Sequence, residues 1–497
     1  MLLRKIRVFL ATVFFLGITL LLLDVSGEMH NVVGWMAKLQ LLPALLALNV
    51  VVVVAILLLT LVFGRIYCST ICPLGVWQDL VARMSRRINK RKKYAYSPAL
   101  PWLRYGFLAV FVVLIVAGLL GIASLIAPYS SYARMVVQLF QPVWILGNNG
   151  LAYVAESMDS YVVSSAEYGV WNWIAFAVAI VTFLVVSILA WRGGRTWCNT
   201  VCPVGTVLGF LSRYSFFNIR FNADKCTGCG QCAHGCKASC IDHKTQHVDA
   251  SRCVACGNCL TKCKFGALHY ALPTRNNTTS GAKTLDAIPD KGRRSFLIGA
   301  GFLAGSALAQ EGKKVDGGLA EIQNKAVPSR ETPLTPPGSR STRNFAQHCT
   351  TCQLCVSECP NHVLRPSTDL SHFMQPTMGY ENGFCRPECT RCSEVCPSGA
   401  ILPISREEKT AVQIGQAKWI EKNCLPVRDG VSCGNCERHC PAGAISMRPL
   451  NEADAESPMV PTINPAVCIG CGACEYVCPA RPFPAIYVEG YEEHREK

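Results

Sequence analysis

Residues 349–360 read CTTCQLCVSECP, and residues 468–479 read CIGCGACEYVCP. Both stretches place their cysteines in the rhythm C-x-x-C-x-x-C-x-x-x-C-P, which is a spacing of thiolate ligands around [4Fe–4S] clusters. In that arrangement three closely spaced cysteines hold one cluster, and the fourth reaches across to a neighbouring cluster. The spacing predicts a small α+β iron–sulfur module at this end of the sequence.

Two further copies of the rhythm lie between these stretches. The second motif has one extra residue between Cys385 and Cys389, and eight residues separate Cys424 from Cys433 in the third. A disulfide network does not explain the repeated three-residue rhythm, so four [4Fe–4S] clusters are predicted for residues 346–497. The fourth cysteines are exchanged either between adjacent motifs or between outer and inner ones, and the spacing leaves both pairings open. The sixteen candidate ligands are Cys349, Cys352, Cys355, Cys359, Cys385, Cys389, Cys392, Cys396, Cys424, Cys433, Cys436, Cys440, Cys468, Cys471, Cys474 and Cys478.

A complete two-cluster unit of the bacterial ferredoxin type is predicted for residues 216–275. Lys237 and Lys264 stand where proline usually follows the fourth cysteine. A zinc site would instead need C-x-x-C pairs without the tightly spaced third cysteine. Cys240 is left without a predicted role. The spacing assigns one cluster to Cys226, Cys229, Cys232 and Cys263, and the other to Cys253, Cys256, Cys259 and Cys236.

The composition of the chain points to membrane spans. Half of the 497 residues are hydrophobic and only 16% are charged, which excludes a disordered chain and a wholly polar soluble enzyme. A chain of this length with 29 cysteines is too large for a secreted disulfide scaffold, and no C-x-x-C-H sequence indicates a multihaem cytochrome. We therefore predict a four-span helical bundle over residues 1–215, because four apolar runs are long enough to cross about 30 Å of hydrocarbon. The runs are 6–23, 41–63, 105–127 and 171–191.

Charged residues predict the orientation of these spans. Basic side chains dominate residues 64–102, where Asp79 is the single acid. By the positive-inside rule, the N-terminus and this loop are cytoplasmic, and the unit at 216–275 is then cytoplasmic as well. The net charge of +15 is thus interpreted as a topology signal with secondary contact to anionic lipids, rather than as a nucleic-acid-binding arm.

The predicted bundle contains an internal repeat. Residues 64–75, GRIYCSTICPLG, match residues 194–205, GRTWCNTVCPVG. Each copy follows an outside-to-inside span, so both are expected at the cytoplasmic membrane surface. If the spacing is helical, the two cysteines of each copy share one face. Cys68, Cys72, Cys198 and Cys202 are therefore candidates for a redox or metal site, either as cluster ligands, as disulfides or as an electron relay; buried packing is the alternative.

Residues 276–345 are predicted to form a signal-like helix and a linker. Arg293 and Arg294 precede Phe296-Leu297 as in a twin-arginine export signal, and Ala309 ends a small-residue cleavage pattern. The alternative is a basic anchor of a fifth span. Both interpretations place the residues after Gln310 outside the cytoplasm. Several prolines predict that residues 311–345 form a semi-extended linker without a core of their own.

These motifs carry a resemblance to known proteins. The first 270 residues resemble the NapH-type membrane ferredoxins associated with periplasmic nitrate reductase, which combine four spans, two C-x-x-x-C-P motifs and a cytoplasmic two-cluster unit. Residues 291–497 resemble the NapG-type and MauM-type polyferredoxins, with a twin-arginine leader and four cluster motifs. The chain as a whole resembles their fusion. The C-x-x-x-C-P pair also occurs in the nitrous-oxide-reductase regulator and in cytochrome-oxidase-assembly ferredoxins.

The resemblance implies a multi-pass protein of the bacterial inner membrane that works in anaerobic respiration. It would oxidise menaquinol or another quinol and pass electrons through six [4Fe–4S] clusters to a periplasmic reductase or small electron carrier. Arg65 and Arg195 would contact either a quinone oxygen or a lipid phosphate. Two alternatives stay open: a relay from a cytoplasmic low-potential donor to the periplasm, and a reductive assembly factor for a metalloenzyme.

Overall fold

The computed structural model describes residues 2–24, 28–89, 94–159, 165, 172–222, 225–271, 325–451 and 457–496. Its first part is helical, with a π-helical turn at Val136–Phe140 and a 3₁₀ turn at Ser212–Tyr214. The helices are α1 Leu2–Leu23, α2 Glu28–Val33, α3 Trp35–Lys38, α4 Leu41–Leu46, α5 Val50–Phe63, α6 Tyr67–Thr70, α7 Pro73–Ile88, α8 Pro101–Val116, α9 Leu120–Ala123, α10 Pro128–Met135, α11 Gln141–Glu156, α12 Trp173–Gly193, α13 Thr196–Thr200 and α14 Pro203–Leu211.

Two of the four predicted spans are broken. In the run at 41–63, Leu48 has a positive φ of 52° and the Asn49 side chain accepts a hydrogen bond from the Val52 N–H, which caps the new helix α5. In the run at 105–127, α8 ends before Gly118, whose φ is 76°. Among the described residues, only Arg4–Leu23 and Trp173–Gly193 form helices long and apolar enough to cross a membrane. The prediction of four continuous spans is therefore not supported.

The broken segments fold back between the longer helices. Every residue of α10 is buried, and Met36, Ala37 and Leu41 of the α3–α4 segment are buried as well. Tyr132 on α10 shares a 2.6 Å hydrogen bond with Thr19 on α1. Short re-entrant helices thus fill the interior of the bundle.

The first iron–sulfur unit follows the bundle directly. Strand β1 (Asn218–Phe221) pairs antiparallel with β4 (Leu268–Ala271), and β2 (Ile241–Asp242) forms a hairpin with β3 (His247–Val248). Two short helices, α15 (Gln231–His234) and α16 (Asn258–Lys262), carry cysteines of the two motifs. This outer strand pair around an inner hairpin is the predicted α+β module.

The C-terminal module repeats this plan. Strand β7 pairs antiparallel with β10 around the β8–β9 hairpin, while β5 and β6 form a separate hairpin. A 3₁₀ turn lies at Glu421–Asn423. The elements are α17 Thr342–His348, α18 Leu354–Ser357, β5 Leu364–Pro366, β6 Pro376–Met378, α19 Arg391–Val395, α20 Arg406–Ala411, β7 Val412–Trp419, α21 Leu425–Arg428, α22 Asn435–Arg438, β8 Ile445–Pro449, β9 Met459–Ile463, α23 Ala473–Val477 and β10 Ile486–Glu496.

The segment at 325–345 belongs to this module and is not a free linker. Leu334 and Phe345 are 0% and 2% exposed. Arg330 forms a 2.6 Å ion pair with the buried Glu475. The predicted boundary at residue 345 is therefore too late. The prolines suggested a linker, but apolar side chains of this segment pack on β7 and β10. The predicted fifth helix, with Arg293, Arg294 and Ala309, lies outside the described residues.

The two iron–sulfur modules contact opposite ends of the same helices. At the start of α12, the Asn172 side chain donates a 2.9 Å hydrogen bond to the Pro366 carbonyl of the C-terminal module. Just after its end, the Arg195 N–H donates a 2.9 Å bond to the Lys237 carbonyl of the first unit. The 21 residues of α12 span about 32 Å at 1.5 Å per residue. A distance close to the thickness of a hydrocarbon layer thus separates these two contacts.

Candidate iron–sulfur and cysteine sites

The first two C-terminal motifs exchange their fourth cysteines. Cys359 of the first motif lines one cavity with Cys385, Cys389 and Cys392 of the second. Burial raises the pKa of the Cys392 thiol, and the charges of Cys385, Cys359 and Cys389 raise it further. These four thiols therefore face one shared space.

The reciprocal set combines three cysteines of the first motif with the fourth of the second. Burial raises the pKa of the Cys355 thiol, and Cys352, Cys349 and Cys396 raise it further. Cys396 also raises the pKa of Cys349 and of Cys352. All four thus lie within electrostatic reach of one another.

The third and fourth motifs are arranged in the same way. Cys424, Cys433 and Cys436 line a second cavity with Cys478. In the reciprocal set, burial raises the pKa of Cys471 to about 12. The Ala473 backbone N–H opposes this shift, and the charges of Cys468 and Cys440 add to it. Adjacent motifs are therefore paired, which decides between the two arrangements that the spacing left open.

The two pairs of motifs meet at a direct backbone contact. The Cys385 N–H donates to the Cys471 carbonyl over 3.0 Å, and the Tyr380 hydroxyl donates to the Gly470 carbonyl over 2.7 Å. The set that contains Cys385 thus adjoins the set that contains Cys471, and the four sets lie in series. The series begins at the set of Cys349 and ends at the set of Cys424.

Non-additive iron loss tests this pairing. We expect Cys352→Ser and Cys396→Ser each to lower the iron content of the purified protein by about four atoms, and the double variant by no more than that, since both residues serve one cluster. Combining Cys352→Ser with Cys359→Ser is the matched control and should remove about eight iron atoms. Colorimetric iron analysis distinguishes the cases. Additive loss in the Cys352/Cys396 pair would contradict the shared site.

The cysteine set that contains Cys349 and Cys352 lies against the helical bundle. Arg134 on α10 donates from Nη1 to the Thr351 hydroxyl over 2.7 Å and from Nη2 to the Ser124 carbonyl over 3.1 Å. Burial lowers the pKa of Arg134 to about 10, and the neighbouring Cys352 opposes that shift. The re-entrant segment thus connects the bundle to the first motif of the C-terminal module.

In the first iron–sulfur unit, one predicted ligand set is brought together. Burial raises the pKa of Cys259, and the charges of Cys256, Cys253 and Cys236 raise it further. The sulfur of Cys240, which is 1% exposed, lies 3.5 Å from the sulfur of Cys236. The residue without a predicted role therefore lies at the edge of this set.

The other predicted set of this unit lies closer to the surface. Burial raises the pKa of Cys232, and backbone N–H groups oppose that shift, while Cys226 and Cys229 add to it. Cys263 packs against the buried group that contains Cys232. Cys229 is exposed, so this set faces solvent.

The repeated motif of the bundle brings its four cysteines together. Burial raises the pKa of the Cys72 thiol, and the charges of Cys198 and Cys68 raise it further. Burial also raises the pKa of Cys202, with Cys198, Cys72 and Cys68 contributing in that order. All four are less than 5% exposed. We call them the four-cysteine centre.

N–H donors point at the sulfurs of this centre. The Gln78 side-chain amide donates to Cys198 over 3.1 Å, and the Gly205 N–H donates to Cys202 over 3.3 Å. Arg65 Nη2 lies 3.9 Å from the Cys68 sulfur. Such donors stabilise negative charge on sulfur and tune a redox centre.

The two copies of the motif are joined by a symmetric pair of hydrogen bonds, in which an arginine of each copy donates to a carbonyl of the other. Arg65 of the first copy donates to the Cys198 carbonyl over 3.2 Å, and Arg195 of the second donates to the Cys68 carbonyl over 2.6 Å. A Cβ atom at Gly75 or Gly205 would collide with the same two carbonyls. Glycine is required at these positions because, within each copy, the helix that follows the cysteines packs directly on the carbonyl of the first cysteine.

Asp79 joins four parts of the molecule. It accepts 2.7 and 2.8 Å hydrogen bonds from Arg195, pairs with Lys237 of the first unit, and lies 3.6 Å from Arg7 on α1. Burial disfavours its charge, but Arg195 and Lys237 outweigh burial and hold the pKa of the carboxyl well below its ordinary value. The lysine that replaces the usual proline after Cys236 thus anchors the first unit to the bundle.

Two buried arginines have no carboxylate partner among the described residues. Arg65 and Arg134 are both 0% exposed, and their donors go to carbonyls, to Ser, Thr and Asn side chains, and to the Cys68 sulfur. A buried cation needs a compensating negative charge. Each lies beside a cysteine set, which would supply that charge as thiolates.

No group of three or more His, Cys, Asp or Glu side chains in the described ranges is arranged to hold a single metal ion. Cysteines instead line two apolar cavities, one at Cys385 and one at Cys424. Four thiols around an apolar cavity match the Cys₄ ligation of [4Fe–4S] clusters.

Comparisons with known families agree with this chemistry. Models described as 4Fe-4S binding domains match residues 45–92 with 172–223, and residues 247–269. A model described as a 4Fe-4S dicluster domain matches residues 431–481. The match to residues 45–92 and 172–223 covers both copies of the repeated motif. The four-cysteine centre therefore lies in segments that resemble a 4Fe-4S binding domain.

Individual similar proteins identify the family more narrowly than these domain models do. The methylamine utilization ferredoxin-type protein MauM of Methylobacillus flagellatus is 32% identical over 32% of this chain and 70% of its own length. The ferredoxin-type protein NapG of Escherichia coli is 30% identical over 39% of this chain and 83% of its own length. This chain belongs to the NapG and MauM family of ferredoxin-type proteins. NapF of E. coli is 29% identical over 32% of the chain. No solved structure matches.

Like its NapG and MauM relatives, the chain is therefore an iron–sulfur electron-transfer protein of the ferredoxin type. Sequence reasoning missed several residues around its sites, namely Gln78, Asp79 and Arg134. One signal was available for Asp79, since a single acid in a strongly basic segment needs a reason to be there. For Gln78 and Arg134 no sequence signal existed, because their partners are more than 100 residues away.

Proposed function

We propose that this NapG and MauM relative is a membrane-bound quinol dehydrogenase that delivers electrons to an exported partner. The observation that carries the proposal is the attachment of two iron–sulfur modules to opposite ends of α12 and α5. Tyr270 of the first unit donates a 2.7 Å hydrogen bond to the Phe63 carbonyl at the end of α5, and Ala47 just before α5 lies beside Gly399 of the C-terminal module. In a protein that spans a bilayer, these contacts would put one redox module on each side.

Six cysteine sets would hold [4Fe–4S] clusters: two in the first unit and four in series in the C-terminal module. Such clusters, when bound, each supply one-electron redox chemistry, which suits stepwise oxidation of a two-electron donor. The cysteines would fix the positions of these groups, and the cavities at Cys385 and Cys424 would surround two of them with mainly apolar surface. The buried charges of Arg65 and Arg134 favour the more negative, reduced state nearby.

The four-cysteine centre would provide a further site between the two modules. On one side, Arg65 donates to the Ser251 carbonyl of the first unit over 2.9 Å, two residues before Cys253. On the other side, the buried Tyr129 and Tyr132 of α10 belong to one continuous core with Cys72 and with Cys352. The centre thus lies in the path that joins the first unit to the C-terminal module.

The same features support a proposed location in the membrane. We place the first unit in the cytoplasm and the C-terminal module in the periplasm of a bacterial inner membrane, as the basic residues of the 64–102 segment indicate. The membrane half would correspond to a NapH-type protein, with the quinol pool as donor. A periplasmic reductase or small electron carrier would be the acceptor.

A second candidate function is a relay from a soluble cytoplasmic donor. It is favoured by Cys229, which is exposed, and by Cys226, which is half-buried. A soluble ferredoxin or flavodoxin could approach this set directly, whereas a quinol in the bilayer could not.

EPR of the anaerobically purified full-length protein distinguishes the two. Cluster signals after addition of menadiol, compared with a dithionite control, are expected if quinol is the donor. If signals develop with dithionite but never with menadiol, the donor is a low-potential carrier and the quinol proposal fails.

A further inference from the structure

A groove between α1 and α7 is not used by any site described above. Val8 and Phe15 of α1 and Val76 and Leu80 of α7 form its apolar walls, and its volume is about 320 Å³. It begins beside Asn258 of the first iron–sulfur unit and extends to Leu16. The helix rises about 18 Å along α1 from Arg4 to Leu16. Pockets of this size commonly take small organic ligands.

The groove is open sideways at its apolar end. Leu16 and Leu80, which border it there, are 52% and 50% exposed. On α7, Leu80, Met84 and Ile88 form one exposed apolar stripe at helical spacing. Since α1 is one of the two helices able to cross a membrane, this opening would face lipid tails. A ligand with an apolar tail can therefore enter from the bilayer.

The closed end of the groove is polar and offers both donors and an acceptor. Arg7 and Lys237 donate, and the Asp79 carboxylate accepts. Arg7 is 7% exposed, and its Nε has no hydrogen-bond partner among the described residues. A carboxylate can accept about four hydrogen bonds, so Asp79 keeps capacity beyond Arg195 and Lys237.

The combination of hydrogen-bond donors and an acceptor at this end favours some amphipathic ligands over others. A quinol hydroxyl both donates and accepts, so it can satisfy Asp79 and Arg7 together. A phosphate group only accepts, so it could pair with the basic side chains of this groove but could not donate to the Asp79 carboxylate. The groove also reaches Lys237 and Asn258, which are each one residue from the proposed cluster ligands Cys236 and Cys259. The head of a bound ligand would thus lie beside a redox site.

We infer that the α1–α7 groove is the quinol-binding site of this protein, with the ring at Arg7, Asp79 and Lys237 and the tail directed past Leu16. The inference rests on the proposed function. Oxidation of the bound quinol to quinone releases two electrons and two protons. The electrons go one at a time to the iron–sulfur acceptor held by Cys236, Cys253, Cys256 and Cys259. The protons leave to water at the exposed rim near Arg4 and Arg83.

Thr12→Trp is the variant that tests the site. Thr12 lines the groove and is exposed, so an indole there fills the groove without disturbing the core. Val13→Trp is the matched control, because Val13 is an exposed neighbour on α1 outside the groove. Neither residue belongs to the cysteine sites. The readouts are binding of the fluorescent quinol analogue heptyl-hydroxyquinoline N-oxide to the full-length holoprotein, and cluster reduction by menadiol.

We expect Thr12→Trp to weaken analogue binding at least about tenfold and to slow menadiol reduction, with Val13→Trp near wild type and dithionite reduction unchanged in both. Unchanged binding and menadiol reduction in Thr12→Trp would overturn the groove assignment and leave the proposed function standing. Wild-type protein that menadiol fails to reduce would overturn the proposed function and the groove assignment with it. If Thr12→Trp retains less anionic phospholipid but binds the analogue normally, the groove is a lipid site and the inference is wrong.

Discussion

Serine in place of Cys202 is expected to stop electron transfer between the two iron–sulfur modules. Cys202 shares the four-cysteine centre with Cys68, Cys72 and Cys198, and a serine hydroxyl replaces the thiolate with a far less acidic and less polarizable group. With menadiol as donor, EPR spin quantification should show reduction limited to the two clusters of the first unit. Dithionite, which needs no internal path, should still reduce the C-terminal clusters.

Ser69→Ala is the matched control for this experiment. Ser69 is buried in the same motif next to Cys68, but within the described part of the chain its hydroxyl donates only to the local Ile66 carbonyl. The control should transfer electrons at the wild-type rate. Full reduction of both modules in Cys202→Ser would show that the four cysteines are packing residues and that electrons take another path.

The second large effect is expected from Asp79→Asn. This substitution leaves Arg195, Lys237 and Arg7 together without their carboxylate, and an uncompensated buried charge costs roughly 3–5 kcal/mol. Since Asp79 connects α7 to the first iron–sulfur unit, that unit should detach first. Loss of cluster absorbance on heating in detergent should therefore occur at a clearly lower temperature than in the wild type.

The pH dependence of this contribution has a definite sign. The folded-state pKa of Asp79 lies below the ordinary value of about 3.9, so its stabilisation is fully present above that value and is lost only on further acidification. The decrease in thermal stability caused by Asp79→Asn should accordingly be the same at neutral pH and at mildly acidic pH. Asp242→Asn is the control, because Asp242 lies near the surface of the same unit. Equal thermal profiles for Asp79→Asn and wild type would refute the anchoring role.

The cysteine spacing predicted the composition of one ligand set that the structure brings together. Cys253, Cys256, Cys259 and Cys236 were assigned from spacing and lie within reach of one another. The spacing is sufficient to group these four cysteines, because three candidate ligands within seven residues have little freedom in where they can converge. That they hold a cluster stays a prediction. The pairing of the C-terminal motifs could not be predicted in this way. There the intervening loops have similar lengths, and only the positions of Cys359 and Cys396 in space decide between partners.

The apolar runs were less informative about the helices they form. The runs at 41–63 and 105–127 have the hydropathy of spans, but Leu48 and Gly118 with positive φ end or interrupt their helices. Hydropathy reports burial in an apolar environment, and a protein interior satisfies it as well as a bilayer does. The short helices α4 and α9, which lie in these runs, are largely buried. Their hydrophobic residues consequently look the same in the sequence as residues that face lipid.

The sequence by itself determined the chemistry of this protein. Its cysteine rhythm predicts cluster ligands, its repeated motif predicts two related loops, and its basic segments predict an orientation, because each of these signals is local along the chain. The tertiary structure alone decided how these parts connect. The pairing of motifs, the reciprocal Arg65 and Arg195 contacts and the role of Asp79 depend on groups that are distant in the sequence. Such contacts are formed by packing of whole helices and modules, and no local pattern records them.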